Sequence, residues 1–169
     1  MFSLKGMTAA ITGGTSGIGE AVAARFVAAG ARVVIIGRRD GAEVARKVGA
    51  VAAVRADCSQ EREIARALQE ARNLLGEDLD VLVNNAGVVD AKARVDEMSG
   101  ERLARMFAIN ITGSFLCARE AMRDILDTPG SDEFDPVRAV LDLNERVFHL
   151  CIRDPHGRVV HAQTGIDPL

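Results

Sequence analysis

The 169 residues include no tyrosine and no tryptophan. Chemistry that needs a phenol as acid or base therefore has no such group in this chain. Cysteine is scarce too: Cys58, Cys117 and Cys151 are an odd number at wide spacing. That excludes a disulfide framework or a zinc cluster as the organising device and suits small, reduced, buried thiols. No charge of one sign dominates, since 21 basic and 24 acidic residues leave a net charge of −3. Without a basic run there is no face for nucleic acid or an anionic membrane to follow. No apolar stretch approaches the ~20 residues of a membrane span, and Met1 to Gly6 lacks the charged-then-apolar order of a signal peptide, so a cytoplasmic location is expected.

What is present suits one ordinary folded domain, with 48% hydrophobic and 27% charged residues. Met7 to Ile11 is a short apolar run that leads into Thr12-Gly13-Gly14-Thr15-Ser16-Gly17-Ile18-Gly19. Ile18, Val22, Phe26 and Ala29 then recur at helical spacing as far as Gly30. Ala31 to Ile36 reads as a strand covered on both faces, Asp40 to Val48 as a short helix and Ala50 to Ala56 as a third strand. Ser59 is the expected N-cap of a helix whose buried stripe is Ile64, Leu68, Ala71 and Leu75. Asp80 to Val83 is the fourth strand and ends in Asn84-Asn85-Ala86-Gly87.

Ser99 is expected to cap one long helix, with Leu103, Met106, Phe107, Asn110, Ile111, Ser114 and Phe115 on one face. Strands alternating with helices of this length imply a doubly wound α/β domain around a parallel sheet, over residues 1–126. Residues 127–169 change character and read as a truncated or remodelled tail packed on that domain. It holds an acidic, turn-rich loop from Asp127 to Pro136, a short helix from Val137 to Leu143, and a β-hairpin of Arg146–Ile152 with Arg158–Ala162.

Glycines at 13, 17 and 19 after the first strand let backbone N–H groups of the following helix approach an anion closely, which points to a nucleotide pyrophosphate. The end of the second strand sorts dinucleotides, because an acidic side chain there accepts the adenosine ribose hydroxyls whereas arginine attracts a 2′-phosphate. Gly37-Arg38-Arg39 occupies that point, and Asp40 falls too late, so NADP(H) is preferred with NAD(H) as the alternative.

The Thr-Gly-x-x-x-Gly-x-Gly spacing, Asp57, the Asn84-Asn85-Ala86-Gly87 run and Asn110 occur in an order that resembles the short-chain dehydrogenase/reductase family over about residues 4–123. The resemblance implies a Rossmann-like fold and hydride transfer between a nicotinamide and an alcohol or carbonyl substrate. It gives Gly13, Thr15, Ser16, Gly17, Ile18 and Gly19 to the phosphates and ribose. Asp57 with the backbone of Cys58 would meet the adenine edge, and Asn84, Ala86 and Gly87 would line the nicotinamide side. Asn110 takes a place in a proton relay; as a buried amide, it equally well satisfies its neighbours. Asp57 has the second reading of a cap for the helix near Ser59.

The family's Tyr-x-x-x-Lys pair is absent: there is no tyrosine, and the lysines are Lys5, Lys47 and Lys92. Gly157 to Thr164 echoes the family's fifth strand about 26 residues late, which would set Thr164 at the serine position that orients substrate. His149, His156 and His161 have neither metal-ligand spacing nor a geometry for general-base work. The expected partners are therefore a dinucleotide, a small alcohol or carbonyl substrate if the chain is active, and a second copy through the 99–126 helix. Autonomous turnover is doubtful, and the alternative is an inactive cofactor-binding or oligomerisation module.

Overall fold

In a computed structural model of the chain, the described residues are 3–89, 93–127 and three later strands, with side chains described as far as Ala121. Strands β1 (Thr8–Thr12), β2 (Arg32–Gly37), β3 (Ala52–Arg55) and β4 (Val81–Asn84) alternate with helices α1 (Gly17–Ala28), α2 (Ala42–Val48) and α3 (Glu61–Leu75). The β4 chain end is followed by α4 (Gly100–Phe107), a π-helical turn at Ala108–Thr112, and α5 (Gly113–Asp127). The later strands are β5 (Arg138–Asp142), β6 (Val147–Arg153) and β7 (Val159–Gly165). All seven strands form one sheet in the order β3-β2-β1-β4-β5-β6-β7.

Side chains on a strand alternate between faces, and here both faces are covered. Val33 and Ile35 of β2 join Ala9, Ile11, Val81 and Val83 in a core against α1 and α2. Val34 and Ile36, one residue out of phase, join Ala10, Val54 and Leu82 in a second core against α3 and α5. The uninterrupted apolar run of β2 is the consequence, because a strand with two buried faces has no polar side to display. The doubly wound α/β architecture expected from the alternation is thus present, with β1 parallel to both β2 and β4.

Four local expectations need correction. Within the segment expected as a short helix over 137–143, Arg138–Asp142 is strand β5, parallel to β4 with Val81 opposite Ala139 and Asn84 opposite Asp142. The open edge of β4 offers these residues a full set of backbone partners, which a helix here would leave unpaired. β5 therefore holds the fifth parallel position that the Gly157–Thr164 echo claimed. The hairpin does form, β6 antiparallel to β5 and β7 antiparallel to β6, so the sheet becomes mixed.

Helix α3 has Gln60 at its N-cap, not Ser59: the Gln60 carbonyl accepts from Glu63 N and Ile64 N, both at 3.0 Å, while Ser59 lies in the tight turn before it and donates its N–H to Asp57 Oδ1 at 2.9 Å. Asp40 precedes α2 instead of lying inside it, and its Oδ1 accepts from Ala42 N at 3.0 Å. The long helix starts as expected, with Ser99 Oγ accepting from Arg102 N, but the π-turn divides it. The one extra residue in that turn shifts the phase of the helix across it, so Phe107, Ile111 and Phe115 face solvent while Ile109, Gly113, Ser114 and Cys117 are buried. The acidic loop from Thr128, together with Lys92 and His156, lies outside the described residues.

Candidate active site: a dinucleotide cleft at the strand ends

The strand order reverses between β1 and β4, so the connections leaving these strands diverge and open a crevice at their carboxyl ends. A cavity of about 720 Å³ lies there. Its lining draws on four strand ends: Gly13, Thr15, Ser16 and Ile18 after β1; Gly37, Arg38 and Arg39 at β2; Ala56, Asp57 and Cys58 after β3; and Asn85 to Val89 after β4. Ile109 and Asn110 close it from the π-turn.

Thr12 holds the β1 and β4 ends together. It is 2% exposed; its Oγ donates to Val83 O at 3.3 Å and accepts from Asn85 N and Ala86 N, both at 3.0 Å. Asn85 continues the stitch with its Nδ2 donating to Thr12 O at 3.0 Å and Gly13 O at 3.2 Å. Thr12→Val keeps the shape and removes the hydroxyl that accepts from Asn85 N and Ala86 N and donates to Val83 O, so the tie between the β1 and β4 ends is lost. A loss of about 1–3 kcal/mol is expected for these hydrogen bonds in a half-buried place. Urea unfolding that moved the midpoint no more than a surface substitution would contradict this bonding pattern.

The glycine turn fits an anionic ligand by its own geometry. Gly13 has φ +66°, and a Cβ there would fall 2.7 Å from Asn85 Nδ2 and 2.9 Å from Ala86 Cα. Gly17 has φ +59° and no heavy atom within 4 Å of a Cβ position, which leaves open space where α1 begins. No side chain caps that helix, and Ser16 Oγ instead accepts from Arg39 Nη2 at 3.2 Å. An uncapped helix N-terminus with its first amides turned to a cavity is a suitable seat for a pyrophosphate. The Thr15 side chain packs under β2, since Cβ atoms added at Gly37 or Gly41 would meet it at 2.7 Å.

Of the residues expected in the site, Gly13, Thr15, Ser16, Ile18, Arg38, Arg39, Asp57, Cys58, Ala86, Gly87 and Asn110 line one cavity. Gly17 and Gly19 are not in the lining; Gly19 packs against Gly13 and Asn85, which are. Asn84 stays out of the lining: it is 2% exposed, and its Nδ2 donates to Ser114 O at 3.0 Å. Its Oδ1 has no partner among the described residues. Asn110 brackets the Val88 backbone, accepting from Val88 N at 2.8 Å and donating to Val88 O at 3.0 Å. It thereby holds the segment after β4 against the π-turn. Thr164 is not brought to the cavity; it lies on β7, paired with Phe148 of β6 and three strands beyond β4, or roughly 14 Å at ~4.8 Å per strand.

Asn85, Gly37, Ala56, Val88, Val89 and Ile109 belong to the lining and were not singled out in the sequence. Asn85 had a readable signal. Successive residues at a strand end point to opposite faces, so two adjacent asparagines serve two neighbours: Asn84 reaches α5, and Asn85 reaches the glycine turn.

The chain matches the short chain dehydrogenase family over residues 7–131. It belongs to that family. Momilactone A synthase of Oryza sativa subsp. japonica is 40% identical over 125 residues, 71% of this chain and 45% of that protein. The chloroplastic NADPH-dependent aldehyde reductase 2 of Arabidopsis thaliana is 32% identical over 136 residues, 70% of this chain and 50% of that one. Among solved structures, the 3-ketoacyl-(acyl-carrier-protein) reductase of Brucella melitensis, complexed with NADH, superposes with a TM-score of 0.68 at 40% identity. It covers 72% of this chain and 50% of that one. This short-chain dehydrogenase chain therefore spans about half the length of the curated relatives it matches. No helix among its described residues is long and apolar enough to cross a membrane.

Proposed function

We propose that this chain is an NADP(H)-binding short-chain dehydrogenase unit that does not turn over substrate by itself. The observation that carries the cofactor choice is the exposed pair Arg38 and Arg39 at the cavity mouth, directly after β2, with Arg39 turned to Ser16 of the phosphate turn. Two guanidinium groups there would bind a 2′-phosphate through charge-assisted bonds and gain nothing from the bare hydroxyl of NAD(H). Asp57 and the Cys58 backbone would bound the adenine, and Ala86 and Gly87 the nicotinamide ribose. The nicotinamide supplies the hydride in this family's reaction.

What this chain's own groups do is bind and position. Asn110 spends its amide on Val88, and no tyrosine exists among the 169 residues to hold the proton that an alcohol or carbonyl substrate must exchange. A relay through Asn110 thus lacks its terminal acid in this chain. Residues 1–126 act as the dinucleotide-binding unit, and 127–169 act as a tail that extends the same sheet. A cytoplasmic setting suits the reduced thiols and the balanced charge.

Calorimetric titration tests this reading, since the absence of tryptophan removes the usual fluorescence signal. Saturable binding with NADPH at least about tenfold tighter than NADH, the effect of one good charge-assisted contact, is expected. No binding of either dinucleotide would overturn the reading.

A second reading rests on a separate observation. Phe107, Ile111 and Phe115 recur every four residues along the helical stretch and are 54%, 40% and 68% exposed, more apolar surface than scattered single residues would display. As an oligomerisation module, the chain would sediment as a dimer, and Phe115→Lys would shift it to monomer. A monomeric parent chain would end this second reading.

A further inference from the structure

Cys58 and Cys117 come from distant parts of the chain and are both nearly sealed from solvent, at 5% and 2% exposure. Cys58 follows β3 and lines the dinucleotide cavity; Cys117 sits on α5 within the same buried cluster. The packing that joins them is close. A Cβ added to Gly113 would run into the Cys58 carbonyl oxygen, so the Cys58 backbone rests directly on that glycine. Cys117 is one helical turn beyond Gly113 and projects from the same side of α5, which brings its thiol under that of Cys58. The two thiols hydrogen-bond to each other.

We propose that Cys58 and Cys117 are a reversible dithiol/disulfide pair that ties the β3-side wall of the cavity to α5. Peroxide, which reaches the pair through the cavity that Cys58 lines, serves as the oxidant. The Cys58 sulfur takes one peroxide oxygen as the O–O bond breaks and the other oxygen leaves as water, giving a sulfenic acid. The Cys117 sulfur then attacks that sulfur, the S–O bond breaks and a second water departs. The two thiols lose two protons and two electrons, and one peroxide is reduced to two waters.

The order of events is set by the surroundings of each thiol. Of the two, only Cys58 lines the cavity and so meets peroxide first, and the Cys117 hydrogen bond pulls its thiol below the ordinary pKa against the opposing effect of burial. Cys117 is pushed up by that same bond and by burial, and so keeps its proton until the second step. Closing the pair draws the sulfurs together to a bond of about 2.05 Å. Because α5 is anchored through Gly113 and Ser114, the shorter lever is the Asp57–Ser59 turn, which moves away from the cavity. The effect on cofactor affinity rests on the dinucleotide reading given above; the chemistry of the pair does not.

The three cysteines fall on separate tryptic peptides, 56–62, 106–119 and 147–153, so the intact wild-type chain is sufficient for the test. After treatment with hydrogen peroxide and blocking of free thiols, non-reducing peptide mapping is expected to join 56–62 to 106–119. Peptide 147–153 should remain blocked, dithiothreitol should reverse the link, and the melting temperature should rise while the link is present. Oxidation of Cys58 to a sulfinic acid without cross-linking, or a link from Cys58 to Cys151, would overturn the pair. NADPH titration of both forms separates the two ideas. Affinity about tenfold weaker in the oxidised form is expected. Equal affinity in both forms removes the regulatory consequence, and failure of the reduced form to bind NADPH defeats the cofactor reading while leaving the disulfide intact.

Discussion

Gly19→Val is expected to abolish dinucleotide binding and to lower the melting temperature of the chain by roughly 6–12 °C, at ~2–4 °C per kcal/mol and about 3 kcal/mol of overpacking. Gly19 lies in the first turn of α1, where a Cβ would drive into the Gly13 carbonyl oxygen and fall 2.5 Å from Asn85 Nδ2. Neither neighbour is free to retreat. The Gly13 carbonyl is held by that same Asn85 amide, and Gly13 sits at φ +66°, a conformation that resists adjustment. A branched side chain at 19 therefore pushes the phosphate turn and the β4 end apart, removing the seat and its support together. Gly100→Ala is the matched control, since nothing lies within 4 Å of a Cβ there and the residue opens α4. Its melting temperature should equal that of the parent or rise slightly, as alanine favours the helix. A Gly19→Val chain that melts with the parent would mean that the turn has room which the packing denies it.

The second large effect concerns selectivity. Replacing Arg38 and Arg39 together with alanine should weaken NADPH on the order of 100-fold, the loss of two charge-assisted contacts at ~1.5–3 kcal/mol each discounted for their exposure. NADH affinity should change less than about threefold, because the hydroxyl it carries in place of the phosphate gives those side chains little to hold. Both side chains are exposed; the bond of Arg38 O with Arg55 Nε at 3.1 Å belongs to the backbone and survives, and the side-chain bond removed is that of Arg39 Nη2 to Ser16 Oγ at 3.2 Å. The NADPH difference should shrink as salt is raised, since exposed charge pairs are screened over about 10 Å at 0.1 M. Calorimetry on both dinucleotides decides it: an equal loss for NADH and NADPH would show that the arginines shape the mouth of the cavity and do not read a phosphate.

How far such features are legible in the sequence depends on the range of the interaction. The glycine turn was legible because the requirement is local: a strand, a left-handed glycine and a helix start must succeed one another within a dozen residues. The β2 run was legible for the same reason, as its unbroken apolar character already states that both faces are covered. Asn85 is not separable from Asn84 in the sequence, because their roles depend on which face each occupies at the end of β4, and the contacts that decide it are with Thr12 and Gly13, more than 70 residues away. The division of the long helix was hidden as well. One extra residue in a π-turn leaves the apolar spacing almost unchanged while it turns Phe107, Ile111 and Phe115 outward.

By itself, the sequence determined the α/β alternation, the place of the phosphate turn, the arginines that succeed the second strand and the absence of a tyrosine; each is a property of composition or of a few adjacent residues. Only the tertiary structure decided that residues 138–142 pair with β4 as a strand, that Asn110 clasps Val88, and that Cys58 and Cys117 meet behind the cavity. In all three the local segment is compatible with more than one state. The choice falls to partners brought near by the fold: an open strand edge, a loop backbone, and a helix that a glycine allows to approach.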